Sequence, residues 1–202
     1  MLNKLKDKFL FFDGAMGTML QKSGLKTGGL PEELNITNYE TILSIHKEYL
    51  NAGADIISAN TFGANRLKLK ESVYSAEEVI NAAVKTAKLA ADSFKNKYVA
   101  LDIGPTGALL YPLGTLSFEE AYDIFKEQVT AGVDAGADLI LIETMTDLYE
   151  LKAAVLAAKE NSDLPVLCTM SFQDNGRTFT GTDVASFVAV AEGLGVDVLG
   201  VN

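Results

Sequence analysis

The sequence predicts an α/β protein of the (β/α)₈ TIM-barrel type, and three observations carry that prediction. Short apolar runs of strand length alternate with amphipathic helical stretches along the chain, and parallel strands need such crossover helices, whose hand is nearly invariant. The pattern Gly-x-Asp recurs as Gly53-Ala54-Asp55, Gly136-Ala137-Asp138 and Gly195-Val196-Asp197. Each copy ends a helical pattern and opens an apolar strand, with glycine suited to the helix C-cap. Polar residues also follow nearly every strand instead of gathering at one switch point, and no glycine-rich dinucleotide fingerprint follows the first strand, so a barrel fits better than a doubly wound sheet. About six strands are countable against the eight of a full barrel. Residues 1–202 are therefore expected to form one barrel domain, incomplete at the C-terminus after about the sixth strand.

The first strand is expected at residues 9–12, where an apolar run breaks into Asp13-Gly14-Ala15-Met16-Gly17-Thr18. In parallel α/β architectures ligands lie at the carboxyl ends of strands, so Asp13 either meets a substrate or caps the following turn. Gly14 and Gly17 permit close backbone approach, and N–H groups between them suit an anion such as a carboxylate. Residues 30–35 read as an irregular connection. Thr37 or Asn38 then caps a helix through Ile42, Ile45, Tyr49 and Leu50 that ends at Gly53. His46, the only histidine, lies inside that helix and reads as structural.

The second strand spans residues 55–61 and ends in Asn60-Thr61, which either hydrogen-bond a substrate or satisfy loops. The run Lys68-Leu69-Lys70-Glu71 reads as a solvated surface. A helix over 75–95 leads to the third strand at 98–103, followed by Gly104-Pro105-Thr106-Gly107. Ser117 with Glu120 has the spacing of a capping box and opens a helix to Ala135. The fourth strand, 138–142, ends at Glu143-Thr144, so Glu143 emerges from a buried run as the strongest charged candidate after the opening loop. A helix over 147–160, a fifth strand over 166–172 ending near Ser171, a tight turn at Asn175-Gly176, a helix capped by Thr182 or Asp183, and a sixth strand over 197–201 complete the chain.

Composition narrows the function. The chain is 48% hydrophobic and 22% charged, ordinary for a folded domain, with a formal net charge of −10. That balance, without clustered Lys or Arg, argues against nucleic acid, and no apolar run approaches membrane-spanning length. The single cysteine, Cys168, sits in an apolar strand and forms no intramolecular disulfide. Residues 1–8 lack the apolar region of a signal peptide, which makes the cytoplasm the expected location.

Read together, Asp13-Gly14-Ala15-Met16-Gly17-Thr18, Glu33-Leu34-Asn35, Ala52-Gly53-Ala54-Asp55-Ile56-Ile57, Asn60-Thr61-Phe62-Gly63, Gly104-Pro105-Thr106-Gly107, Glu143-Thr144 and Asn175-Gly176-Arg177 carry a resemblance. Over nearly its whole length the chain resembles the homocysteine S-methyltransferase domain, most closely the amino-terminal module of cobalamin-dependent methionine synthases. The resemblance implies a barrel that binds homocysteine and methylates its thiol. Glu143 would pair with the substrate's α-ammonium, while the backbone of Ala15, Met16 and Gly17 receives its carboxylate. Asn60, Thr61, Ser171 and Asn202 are further implied contacts. It also implies a zinc held by three cysteine thiolates, the first following a Gly-x-Asn motif that is here Gly200-Val201-Asn202. Methylcobalamin and methyltetrahydrofolate would act through other modules.

Cys168 is no substitute ligand, so the chain as given is expected to carry neither metal ligands nor catalytic residues of its own and to be inactive. Betaine- or S-methylmethionine-dependent relatives and a non-catalytic barrel fragment are the alternatives. Self-association through open sheet edges, at strand one above all, is also expected.

Overall fold

The computed structural model describes residues 9–25 and 28–202, so the reading of residues 1–8 as lacking a leader lies outside the described residues. Five parallel strands, β1 (Ile56–Ser58), β2 (Tyr98–Ile103), β3 (Leu139–Met145), β4 (Val166–Met170) and β5 (Val198–Val201), pair in chain order. The helices are α1 (Met16–Lys22), α2 (Leu34–Thr37), α3 (Tyr39–Ala52), α4 (Ala76–Ala91), α5 (Phe118–Asp134), α6 (Leu148–Asn161) and α7 (Val184–Gly193). None of the described helices is long and apolar enough to cross a membrane.

Side chains alternate across each strand, and the sheet sorts them into two cores. Ile57, Val99, Leu101, Ile103, Ile140, Ile142, Val166, Cys168 and Met170 join one cluster with Val79, Ala83, Val129 and Leu151 of the helices. Ile56, Ala100, Leu139, Leu141 and Leu167 form a second, inner cluster. Each fully buried Leu or Ile contributes about 1.5–3 kcal/mol, so reversing the faces would be prohibitive. On α5, Gly132 lies so close to Leu101 that a Cβ would overlap its side chain, which lets the helix seat directly on β2.

The recurring Gly-x-Asp is one device used three times. Gly53, Gly136 and Gly195 take φ of 110°, 95° and 75°, a left-handed region that glycine occupies cheaply. Two residues on, each aspartate accepts an N–H from a neighbouring segment and pairs with a lysine. Asp55 takes the Phe11 N–H at 3.2 Å and lies 3.7 Å from Lys97. Asp138 takes Val99 at 2.8 Å and Lys88 at 3.0 Å, and Asp197 takes Val166 at 2.9 Å and Lys159 at 2.8 Å. These clamps fix the amino ends of the sheet.

Several elements depart from expectation. The first strand contracts to one parallel bridge between Phe12 and Ile56, so five strands are present where about six were counted. Phe9 and Phe11 are 86% and 64% exposed, and only Leu10 of that run packs on the inner cluster. Of residues 30–35, all but the extended Leu30 are helical, with a 3₁₀ turn at Pro31–Glu33 running into α2; Pro31 presets the first helical φ, and the buried Glu32 and Asn35 side chains tie the segment down. Ser117 does cap α5, accepting the Glu120 N–H at 3.1 Å, but the reciprocal capping box is at Ser75 and Glu78 on α4. Strand β3 runs on through Glu143 and Thr144 to Met145.

His46 is fully buried on α3, and neither ring nitrogen has a hydrogen-bond partner. Burial lowers its pKa from 6.5 to about 4. The unfolded chain therefore takes up a proton as pH falls through 6.5 while the folded ring stays neutral, and stability drops between those two values. The loss is expected to reach about 3 kcal/mol, and His46→Leu should flatten this limb when urea denaturation is followed from pH 7 to pH 4.

Candidate functional site

The inner face of the sheet opens at its carboxyl ends into a cavity of about 600 Å³. Its walls are the 13–17 loop, Pro31 and Glu32, Asn60 and Phe62 after β1, and the inward residues Ser58, Asp102, Leu141, Glu143, Leu167, Thr169, Val198 and Gly200. Alternation produces this lining: apolar Leu141 and Leu167 lie deep, and polar Ser58, Asp102, Glu143 and Thr169 come where the strands end.

Asp13 is not a helix cap, because α1 starts from Ala15 without a side-chain cap. Both Asp13 oxygens instead accept the Ser58 N–H, at 3.1 and 3.0 Å, at the last residue of β1. Burial raises its pKa to about 6 against the pull of those bonds, and Glu143 pushes the same way. Gly14 lies 3.0 Å, measured from a Cβ it lacks, from the Tyr49 ring, so a side chain there would crowd Tyr49. Neither Gly14 nor Gly17 takes a positive φ, and Gly17 has open space around it.

Glu143 sits at an irregularity in β3, where the pairing with β4 shifts register between Ile142 and Met145. The next residue, Thr144, has φ of 60°, a costly conformation for a β-branched residue. Its N–H donates to Thr169 Oγ1 at 3.0 Å and its Oγ1 accepts from Asn202 Nδ2 at 3.1 Å, so β4 and the residue that follows β5 hold the kink. Burial raises the Glu143 pKa.

Four acids therefore line the cavity: Asp13, Glu32, Glu143 and Asp102 of β2. Asp102 is only 7% exposed, and burial first, then the charges of Glu143 and Asp13, lift its pKa well above the usual carboxylate range. A hydrogen-bonded network braces the wall built by Pro31, Glu32 and Asn60. Asn60 donates to Pro31 O at 2.8 Å and to Asn35 Oδ1 at 3.1 Å, and Asn35 returns a bond to Asn60 O at 2.8 Å. The Gly63 N–H donates to Glu32 Oε1 at 2.7 Å, where a Cβ on Gly63 would collide with that carboxylate. Lys68, expected on a solvated surface, is instead partly buried under these acids, its ammonium 5.1 Å from the Phe62 ring centre, and burial lowers its pKa. Leu69 beside it is buried, while Lys70 and Glu71 are exposed as expected.

Of the residues singled out in the sequence, Asp13, Gly14, Ala15, Met16, Gly17, Asn60 and Glu143 line the cavity together. Thr18, Thr61, Ser171 and Asn202 are not among its lining residues: Thr18 is exposed on α1, Thr61 is buried against β2, the Ser171 N–H bonds Met145 O, and Asn202 braces Thr144. Sequence reasoning missed Glu32, Phe62 and Asp102. The signal for Asp102 was present, a lone acid within the apolar run Tyr98-Val99-Ala100-Leu101-Asp102-Ile103.

The donors present do not fit a thiolate zinc. Cys168 belongs to the outer core against the helices, and burial pushes its thiol up to about 12. Among the described residues no group of three or more His, Cys, Asp or Glu is arranged to hold a metal ion.

Asp13 ionises near pH 6 when folded but near 3.8 when unfolded, so stability falls as pH rises between those values. Asp13→Asn removes that cost while keeping an oxygen for the Ser58 N–H. The variant is expected to be more stable at pH 7 by about 1–3 kcal/mol and no more stable than the parent at pH 4, as read by urea denaturation.

Comparison with known proteins completes the description of the site. The family model for homocysteine S-methyltransferase matches residues 10–202. Methionine synthases of Mycobacterium leprae and Mycobacterium tuberculosis are each 32% identical across 100% of this chain, which spans 18% of their length. Among solved structures, the metallated homocysteine methyltransferase MmuM from Escherichia coli superposes with a TM-score of 0.87 at 22% identity, covering 99% of this chain and 76% of that one. Its oxidized form gives 0.87 at 25% identity over 100% and 76%.

Proposed function

The chain belongs to the homocysteine S-methyltransferase family, and on that premise we propose that its strand-end cavity binds homocysteine as the methyl acceptor of a methionine synthase. The observation that supports this most is a partly buried carboxylate, Glu143, in the same cavity as the first turn of α1. The first N–H groups of a helix have no acceptor within it. Glu143 takes the α-ammonium of the amino acid, and the backbone of Ala15, Met16 and Gly17 takes its carboxylate. The side chain then extends over the apolar floor of Leu141 and Leu167. Asn60 contributes by holding the 31–35 segment, since its amide is already engaged there.

Delivery of the methyl group from cobalamin- and folate-binding modules is part of the same proposal, supported by the identity with methionine synthases, as is a cytoplasmic location. So is pairing with a second copy along the 9–12 segment, where Phe9 and Phe11 present apolar surface.

The direct test is calorimetric. Glu143→Gln keeps the shape and hydrogen bonding of the side chain but removes its charge, and is expected to weaken L-homocysteine binding by about 1.5–3 kcal/mol with the fold unchanged by circular dichroism; an unaltered affinity would exclude Glu143 from the site. For self-association, light scattering over a dilution series should show a mass above the monomer that falls in Phe11→Ser.

A further inference from the structure

Asp102 is the buried acid that nothing in the fold explains. Thr61 holds its backbone from both sides, donating to Asp102 O at 2.7 Å and accepting the Asp102 N–H at 3.1 Å. Pairing with Leu141 on β3 fixes the same residue in register. The carboxyl contributes nothing to that arrangement: its Oδ1 is buried without a hydrogen-bond partner and the residue lines the cavity. Such an oxygen is costly unless something arrives to pair with it.

Charges act on it from both sides of the strand. Glu143 lies on β3, Asp13 before α1 and Glu32 in the 3₁₀ turn, with Lys68, after β1, as the cation acting on it. Negative groups outnumber positive ones, and the cavity is chemically suited to a cationic group.

We propose that Asp102 is a second anchor for the α-ammonium of the bound amino acid, acting beside Glu143 from the adjacent strand. This rests on the amino-acid reading given above and adds a binding residue to it. Thr61 is then a positioning residue, touching Asp102 and not the ligand. A pH dependence follows. Asp13, Asp102 and Glu143 crowd one another, so the cluster retains protons near neutrality. An arriving ammonium favours the ionised acids and expels a proton to solvent. Binding thus strengthens as pH rises, up to the point where the ligand's own amine loses its charge.

The test titrates three compounds calorimetrically into the protein and into Asp102→Asn, in two buffers of different ionisation enthalpy between pH 6 and 8. They are L-homocysteine, L-2-aminobutyrate, which keeps the head group without the thiol, and 4-mercaptobutyrate, which keeps the thiol and carboxylate without the amine. Proton release is expected with both amines and not with 4-mercaptobutyrate. Asp102→Asn should lower affinity for the amines on the order of tenfold and reduce the protons released, while melting no earlier than the parent; a carboxylate with only a structural role would lower the melting temperature and leave the proton count alone. If Asp102→Asn fails to fold, Asp102→Ser replaces it in the same titrations. L-homocysteine binding with unchanged affinity and proton count in the variant overturns this inference and leaves the methyl-acceptor reading standing. Asp102-dependent binding of L-2-aminobutyrate but not of L-homocysteine does the reverse, and binding of neither amine overturns both.

Discussion

Strand register is the constraint on which the molecule depends. In a parallel sheet with one face under helices, sliding any strand by one residue exchanges its faces. For β2 that slip would drive Asp102 into the helix-packed core and turn Ile103 toward the cavity. The three Gly-x-Asp clamps oppose it by different means at the same place. A left-handed glycine stops each helix, and the aspartate then captures an N–H from the adjoining segment. Because the lysine partners are only partly buried, the Coulomb contribution of each pair is modest, and the geometric role of the accepted N–H outweighs it.

What the clamps secure at one end is used at the other. Asp13, Asp102 and Glu143 are held in a cavity where each raises the cost of ionising the next, and like charges at close range in a partly desolvated site repel by several kcal/mol. The fold tolerates this because two extensive apolar clusters surround the site. Beside the acids, Asn35, Asn60, Glu32 and Gly63 are hydrogen-bonded to one another and to Pro31, so the wall of the cavity is braced while the carboxylates facing into it repel.

Most of the architecture was legible in the sequence because it is periodic. The helices of α3, α5 and α6, the caps at Ser117 and Asp183, and the glycines at 53, 136 and 195 follow local rules that need no knowledge of the tertiary fold. The errors share a cause. Residues 9–12 have strand composition, yet the structure gives them a single bridge, and composition is silent about neighbours. Residues 30–35 looked irregular because their helicity depends on Glu32 and Asn35 bonding to residues about thirty positions away. Lys68 was misplaced for the same reason, its environment being built from β2, the 3₁₀ turn and Phe62. The site was half legible: the opening loop and Glu143 stood out at apparent strand ends, whereas Asp102 lay inside a strand where an acid reads as an exception.

Thr144 shows how selection would act on this protein in the laboratory. Its backbone conformation is one that glycine adopts freely, and its side chain secures the kink beside Glu143 through Asn202. A population of variants passaged under heat alone would gain by substituting glycine at that position wherever the strain relieved exceeds the lost bond to Asn202 and the added backbone entropy of glycine. Heat tolerance and the placement of the Glu143 carboxylate therefore pull this codon in opposite directions, and a lineage evolved for durability should be sequenced there first.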